Sequence, residues 1–234
     1  LSRKFNRNVS YLPNTVGEIS NYDISTNGNS KYKILLTLCR FEEVKNLERL
    51  IAAFKIAKQT DENIRLIMGG EGSLIESLIK TCDKEKLRHC QVTDTFENGK
   101  SESVLDSYDI IFAGKVEGKN KRKLFETCDC VALFSLREIC SLFGLEAIAY
   151  GKRILASKIP GWQDYQDFGA DVLLSDPYGV EEIAQTIIKG TSDIKENLSI
   201  VSAKNKDVYQ KHFSPNAVSA IRYSFYEDSL RSNL

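Results

Sequence analysis

Histidine, methionine, tryptophan and proline are scarce in this chain of 234 residues, at two, one, one and four, and several patterns are missing altogether. His89 and His212 have no Ser or Asp arrangement of the kind a hydrolase triad needs, so both are expected to be structural. No Cys-x2-Cys pair occurs among Cys39, Cys82, Cys90, Cys128, Cys130 and Cys140, which removes the usual zinc spacing. Cys128 and Cys130 fall on one strand face, where packing is the better reading than a metal, and no metal site is expected. The six thiols read as reduced, mostly buried side chains of a cytoplasmic protein. Lys+Arg and Asp+Glu balance at 32 each, so no global field favours nucleic acid or an anionic membrane. No apolar run approaches the roughly 18 residues that span a bilayer. The start, Leu1-Ser-Arg-Lys-Phe-Asn-Arg-Asn8, lacks the apolar core of a signal peptide. Gly69-Gly70-Glu71-Gly72 falls short of a full G-x-G-x-x-G, which argues against an NAD-type fingerprint. The only methionine is Met68, so an N-terminal portion preceding this sequence is expected.

What is present is an alternation of strands and helices. Residues 1–30 are polar and irregular, ending in Ser25-Thr-Asn-Gly-Asn-Ser30, a linker composition. A buried strand is predicted over Tyr32–Cys39, then a helix capped by Asn46 with Leu47, Leu50, Ile51 and Phe54 on one face. A second strand covers Asn63–Met68, followed by a helix carrying Leu74, Ile75, Leu78 and Ile79. Thr81 to Asp109 is polar and weakly periodic, and reads as a helix end plus a long surface insertion. The alternation resumes with strand Ile110–Ala113, helix Arg122–Cys128, strand Cys130–Phe134 and helix Leu142–Tyr150, which Gly151 ends in a left-handed cap. Strands Arg153–Ala156 and Asp171–Leu174 and helix Val180–Lys189 follow. Two further helices begin near Asp193 and at Ser214, the latter with Pro215 in its first position. Strands joined by single helices imply right-handed crossovers and a doubly wound, Rossmann-like α/β sheet with helices on both faces.

Between Glu138 and Lys152 the sequence carries one charge, Glu146. Steps of 100° along the helix place it between Leu142, Leu145 and Ala149 on one side and Phe143 on the other. Burying a carboxylate there without a partner costs several kcal/mol, so something must donate to it. A Lys or Arg of a neighbouring element and a ligand are both candidates.

In doubly wound sheets, ligands bind beyond the C-terminal strand ends, where helix N-termini offer N–H groups. Arg40 and Lys45 follow the first strand, Glu71 and Gly72 the second, and Glu138 with Cys140, Ser141 and Leu142 the strand ending near Phe134. Two cations, a helix N-terminus and two carboxylates suit a nucleoside diphosphate-sugar. The cations and amides would hold the pyrophosphate, whose charge grows as the glycosidic bond breaks. Glu146 would accept from ribose hydroxyls, and Glu138 from the sugar.

Four segments resemble the C-terminal, donor-binding half of retaining glycosyltransferases of the two-Rossmann (GT-B) architecture, family 4 type. They are Arg40-Phe-Glu-Glu-Val-Lys45-Asn46 with its helix, Gly70-Glu71-Gly72-Ser73, Cys128-Asp-Cys-Val-Ala-Leu-Phe-Ser135, and Glu138 to Gly151, which matches that family's E-x7-E pattern. The resemblance covers roughly residues 10 to 230, with Tyr11-Leu-Pro-Asn14 like the end of an interdomain connection. It implies that residues 1–30 connect to an absent N-terminal acceptor domain and that 31–234 form the nucleotide-sugar domain. It further implies diphosphate contacts from Arg40, Lys45 and the backbone of Cys140, Ser141 and Leu142. Ribose would fall to Glu146, the transferred sugar to Glu138, and the base to the loop Gly114-Lys115-Val116.

No cofactor or metal is implied, since no D-x-D appears to bridge a metal to the donor diphosphate. The implied partners are the donor and, through the missing domain, a glycan or lipid-linked acceptor. The implied location is the cytoplasm, at most with peripheral contact to a membrane's cytosolic face, and nucleic acid is not implied. The sequence departs from the pattern at Cys39, where a Gly usually stands, at Phe134 for a Pro, and at Ile139-Cys140-Ser141 for Gly-Phe-Gly. The competing readings are a binding module that kept the fold without the chemistry, a surface pairing of Arg40 and Lys45 with nearby acids, and a solvated Glu138. Trp162 reads as packing rather than sugar stacking, and Lys115 to Lys123 as a solvated helix start. Tyr223, Phe225 and Tyr226 pack either within the domain or against the absent one.

Overall fold

A computed structural model describes residues 12–17, 30–92 and 101–231. Most of the expected connection, 1–11 and 18–29, lies outside the described residues. Strand β1 (Lys33–Leu38) leads through a 3-10 turn (Glu43–Lys45) into α1 (Leu47–Thr60). β2 (Ile64–Gly69), α2 (Ile75–Lys84), β3 (His89–Gln91), α3 (Ser101–Ser107) and β4 (Ile110–Phe112) complete the first half. The second half runs α4 (Gly118–Thr127), β5 (Cys130–Leu133), α5 (Leu142–Ala149), β6 (Arg153–Ser157), α6 (Pro160–Asp167), β7 (Val172–Ser175) and α7 (Val180–Ser192). It closes with α8 (Ile194–Val208), a π turn (Tyr209–Phe213) and α9 (Pro215–Arg231).

The strands form one sheet in the order β3-β4-β2-β1-β5-β6-β7, and every neighbouring pair runs parallel. Successive side chains point to opposite faces, so the apolar runs of β1 and β2 feed two cores at once. Leu36, Ile67, Ile111, Val131 and Ile154 face one core, with Phe125 of α4, Leu145 and Ile148 of α5 and Trp162 of α6. Leu35, Leu66, Met68, Ala132 and Leu155 face the other, with Ile51 and Phe54 of α1, Leu78 of α2 and Ile187 of α7. The doubly wound expectation holds, helices covering both faces.

The polar stretch from Thr81 to Asp109 is not a featureless insertion. α2 runs on to Lys84, β3 adds the sheet's outer strand beside β4, and α3 leads back in, while residues 93–100 lie outside the description. β3 escapes a sequence reading because it is three residues long and only half buried. α6 is also absent from the sequence reading, since Pro160-Gly161 looks like a turn although Pro suits a helix's first position. Gly151 has φ 68°, the expected left-handed cap, and a Cβ there would strike Ser202 of α8. Ser214 caps α9 as predicted, its Oγ accepting from Ala217 N at 3.2 Å. The described part of the N-terminal segment packs on the chain's end: Thr15 donates to Phe213 O at 2.7 Å and Tyr209 to Val16 O at 2.9 Å.

Candidate functional site

β1 is the strand at which the winding reverses, with β2 on one side and β5 on the other. β1 and β5 pair only at Leu35–Cys130 and Leu36–Val131, and the sheet opens beyond that into the crevice where such folds bind ligands. The loops after β1 and β5 carry Arg40, Lys45 and Glu138 to it.

Lys45 Nζ lies 2.8 Å from Glu138 Oε2, and the side chains are 21% and 14% exposed. An ion pair this far from bulk water is screened less than a surface pair and holds both groups in place. The reading of Glu138 as a solvated loop acid therefore fails. Arg40 behaves differently: 82% exposed, it reaches only Glu42 Oε1 among the described residues, at 3.6 Å, and stands at the crevice rim. The surface-pair alternative thus describes Arg40 and not Lys45. Cys39 sits among these groups, and burial pushes its thiol up to about 11.

α5 starts at the same rim. Ser141 caps it, its Oγ accepting from Gly144 N at 3.2 Å, with Cys140 just before and Leu142 first in the helix. Ile139 and Leu142 are exposed. The Glu138–Ile139 backbone is braced from beneath by α6, where a Cβ on Gly161 would come 2.5 Å from Glu138 O. Glu146, one turn into α5, is half buried, and Lys121 Nζ of α4 lies 2.5 Å from its Oε1. The partner that the helical pattern demanded is a lysine of this chain, so a ligand is not needed to satisfy the carboxylate. Nothing in the sequence singles out Lys121 from the basic run around it.

The loops after β1, β2 and β4 are laced together. Phe41 N donates to Glu71 O at 2.9 Å and Gly70 N to Gly114 O at 2.7 Å. Gly70, at φ 141°, leaves no room for a side chain, since a Cβ would overlap Cys39 O. The result is a cleft of about 370 Å³ lined by Cys39, Arg40, Glu71, Lys115 and Val116, beside a second hollow of about 280 Å³ that Gly114 lines. A groove of about 700 Å³ between α1 and α2 is larger but holds none of the predicted charged residues. Among the described residues no cluster of His, Cys, Asp or Glu could hold a metal ion. Trp162 is fully buried, which confirms packing over sugar stacking. Tyr223 and Tyr226 of α9 are 67% and 61% exposed.

The fold and site define a doubly wound parallel α/β domain whose charged crevice lies at the topological switch point. The family described as Glycosyl transferases group 1 matches residues 19–207, and the chain belongs to it. An uncharacterized glycosyltransferase of Methanocaldococcus jannaschii is 26% identical over 181 residues, 77% of this chain and 41% of that protein. The alpha-monoglucosyldiacylglycerol synthase of Streptococcus pneumoniae is 23% identical over 207 residues, 86% of this chain and 40% of that one. The chain thus spans about two fifths of the length of these relatives. The fold matches the Anabaena protein HepE, solved with UDP and glucose, at a TM-score of 0.63 and 19% identity, covering 85% of this chain and 48% of that one. The sheet is that of a GT-B glycosyltransferase domain.

Proposed function

We propose that this chain is the donor-binding part of a retaining glycosyltransferase that moves a sugar from a nucleoside diphosphate-sugar to a glycan or lipid-linked acceptor. The observation that carries the reading is the Lys45–Glu138 pair at the mouth of the β1/β5 crevice. In the proposed complex, Lys45 turns to the diphosphate, joined by Arg40 from the rim and by the backbone N–H groups of Cys140, Ser141 and Leu142. Cations and helix N-terminal amides placed there stabilise the charge that develops on the leaving diphosphate, without a metal. Glu138, released from Lys45, accepts from hydroxyls of the transferred sugar. Glu146 holds the ribose, and Gly114, Lys115 and Val116 line the base. The HepE complex with UDP and glucose is consistent with a donor of this class. The acceptor side belongs to a second domain in this proposal, and the cytoplasm, with at most peripheral membrane contact, is its proposed location.

Thermal shift with UDP, GDP, ADP, their sugars and NAD tests the reading. One nucleoside diphosphate at 100 times its Kd should stabilise the chain by about 2.7 kcal/mol. Glu146→Ala and Lys45→Ala should each sharply reduce that shift, and response to NAD alone would overturn the proposal. A second reading, an interaction module without donor chemistry, draws on the lysine pairing that already satisfies Glu138 and Glu146. No response to any nucleotide would favour it.

A further inference from the structure

The crevice opens because β1 and β5 stop pairing at Leu36 and Val131, although each strand runs on by two residues. Something other than the sheet must therefore hold the β1–α1 loop, with Lys45, in register with the β5–α5 loop, with Glu138. One backbone bond does part of this, Leu136 N donating to Val44 O at 2.8 Å. A further link is Asn46. Its Nδ2 donates to Phe134 O, just past β5, at 3.0 Å and to Pro177 O, past β7, at 2.7 Å. Its Oδ1 accepts from Arg49 Nη1 at 2.8 Å, and that guanidinium lies 5.7 Å from the Tyr178 ring centroid.

Two carbonyls on one side and a guanidinium on the other admit a single orientation of the amide, so both protons and the oxygen are used. The residue is 5% exposed and its φ is 58°, a left-handed conformation that Asn tolerates better than most residues. Asn at this place predicts a helix cap, yet its side chain makes no capping bond to α1. The amide is committed across the sheet instead.

We infer that Asn46 is a positioning residue: its side chain fastens the β1–α1 loop to the ends of β5 and β7 and so sets Lys45 against Glu138. The inference deepens the proposed donor site and rests on Lys45 being a diphosphate ligand there. Asn46 touches no donor itself. It acts by keeping the adjacent residue's ammonium at one place, where a buried-amide link is stiffer than a free loop.

Asn46→Gly keeps the left-handed backbone and removes only the amide, and Asn46→Asp exchanges both Nδ2 donors for an acceptor. The 234-residue chain is titrated with UDP, GDP and ADP in the wild type, Asn46→Gly, Lys45→Ala and the double variant. Asn46→Gly should weaken the bound nucleotide roughly ten-fold in the wild-type background and less than about two-fold once Lys45 is alanine, the signature of coupled residues. Equal losses in both backgrounds would overturn the inference, because a general loss of fold does not depend on Lys45.

A second readout needs no nucleotide. Acylation of Lys45, followed by mass spectrometry, should quicken in Asn46→Gly and in Asn46→Asp to within roughly two-fold of Glu138→Gln, as expected for a loosened ion pair. Labelling of Lys45 at the wild-type rate in both variants would refute the role of Asn46. If the wild type binds none of the three nucleotides, the donor reading fails while the acylation result still decides whether Asn46 holds Lys45.

Discussion

Cys39 and Glu146 show how much a single side chain's surroundings decide. Cys39 lines the crevice, and burial pushes its thiol up to about 11, above an ordinary cysteine. The thiolate is the reactive form, so iodoacetamide should modify Cys39 slowly at pH 8 and progressively faster as the pH approaches 11. Peptide mass spectrometry of the labelled chain checks this, and a plateau by pH 9 would contradict it. Glu146 looked like a charge stranded on an apolar helix. Its partner Lys121 is 36% exposed, so the pair is partly screened, and Lys121→Ala should cost roughly 1 kcal/mol or less. Urea unfolding followed by the fluorescence of the single Trp162 measures that loss.

At the scale of elements, the contacts that place α5 are tighter than its sequence suggests. A Cβ on Gly144 would lie 2.6 Å from the Trp162 ring, so α5 and α6 approach with no space between them. Gly144→Ala should therefore destabilise the chain by about 1–3 kcal/mol and disturb the Trp162 emission, the usual cost of overpacking. Unchanged stability and spectrum would show that the helices can separate freely. The opposite end of the sheet is fixed by charge. Asp109, just before β4, meets Lys58 of α1 at 3.1 Å and Arg88 before β3 at 2.9 Å. Burial alone would raise its pKa, but hydrogen bonds from Arg88 and Lys58 outweigh burial and hold it below the usual carboxylate value. A pKa depressed by folding gives stability that is complete above the unfolded value near about 4 and is lost as pH falls through the folded value. Asp109→Asn should cost about 1–3 kcal/mol at pH 7 and flatten the acid limb of the stability profile, because it leaves the largely buried Lys58 without its carboxylate. Chemical denaturation at pH 3 and at pH 7 distinguishes this from a merely local change.

The whole molecule is a doubly wound sheet whose crevice is open on the side away from the strands. A donor held there has protein on one flank only, and a nucleotide-sugar excluded from water on both flanks binds and reacts better. On the proposed two-domain reading, the isolated chain binds a sugar donor weakly and transfers little sugar. Transfer assays on this chain, alone and joined to an N-terminal half of the same family, measure that difference. Robust transfer by the chain alone would sink the two-domain proposal.

The alternation of apolar strands and amphipathic helices was legible because a two-sided sheet requires continuous apolar runs, as in Ile34–Leu36 and Leu66–Met68. The spacings Arg40 to Lys45 and Glu138 to Glu146 were legible too, because each lies within one loop or one helix start. β3 and α3 were hidden: an outer strand of three residues and a short polar helix bury too little to leave a pattern. Lys121 was hidden among four other basic residues between Lys115 and Lys123, and Asn46 holds the expected cap position while its side-chain amide is committed across the sheet. Local sequence thus determined which residues arrive at the strand ends, since strand and helix periods act over a few neighbours. Tertiary structure alone decided their pairing. Lys45 meets Glu138 across 93 residues and Asn46 meets Pro177 across 131, contacts set by strand order rather than by anything within reach of a local pattern.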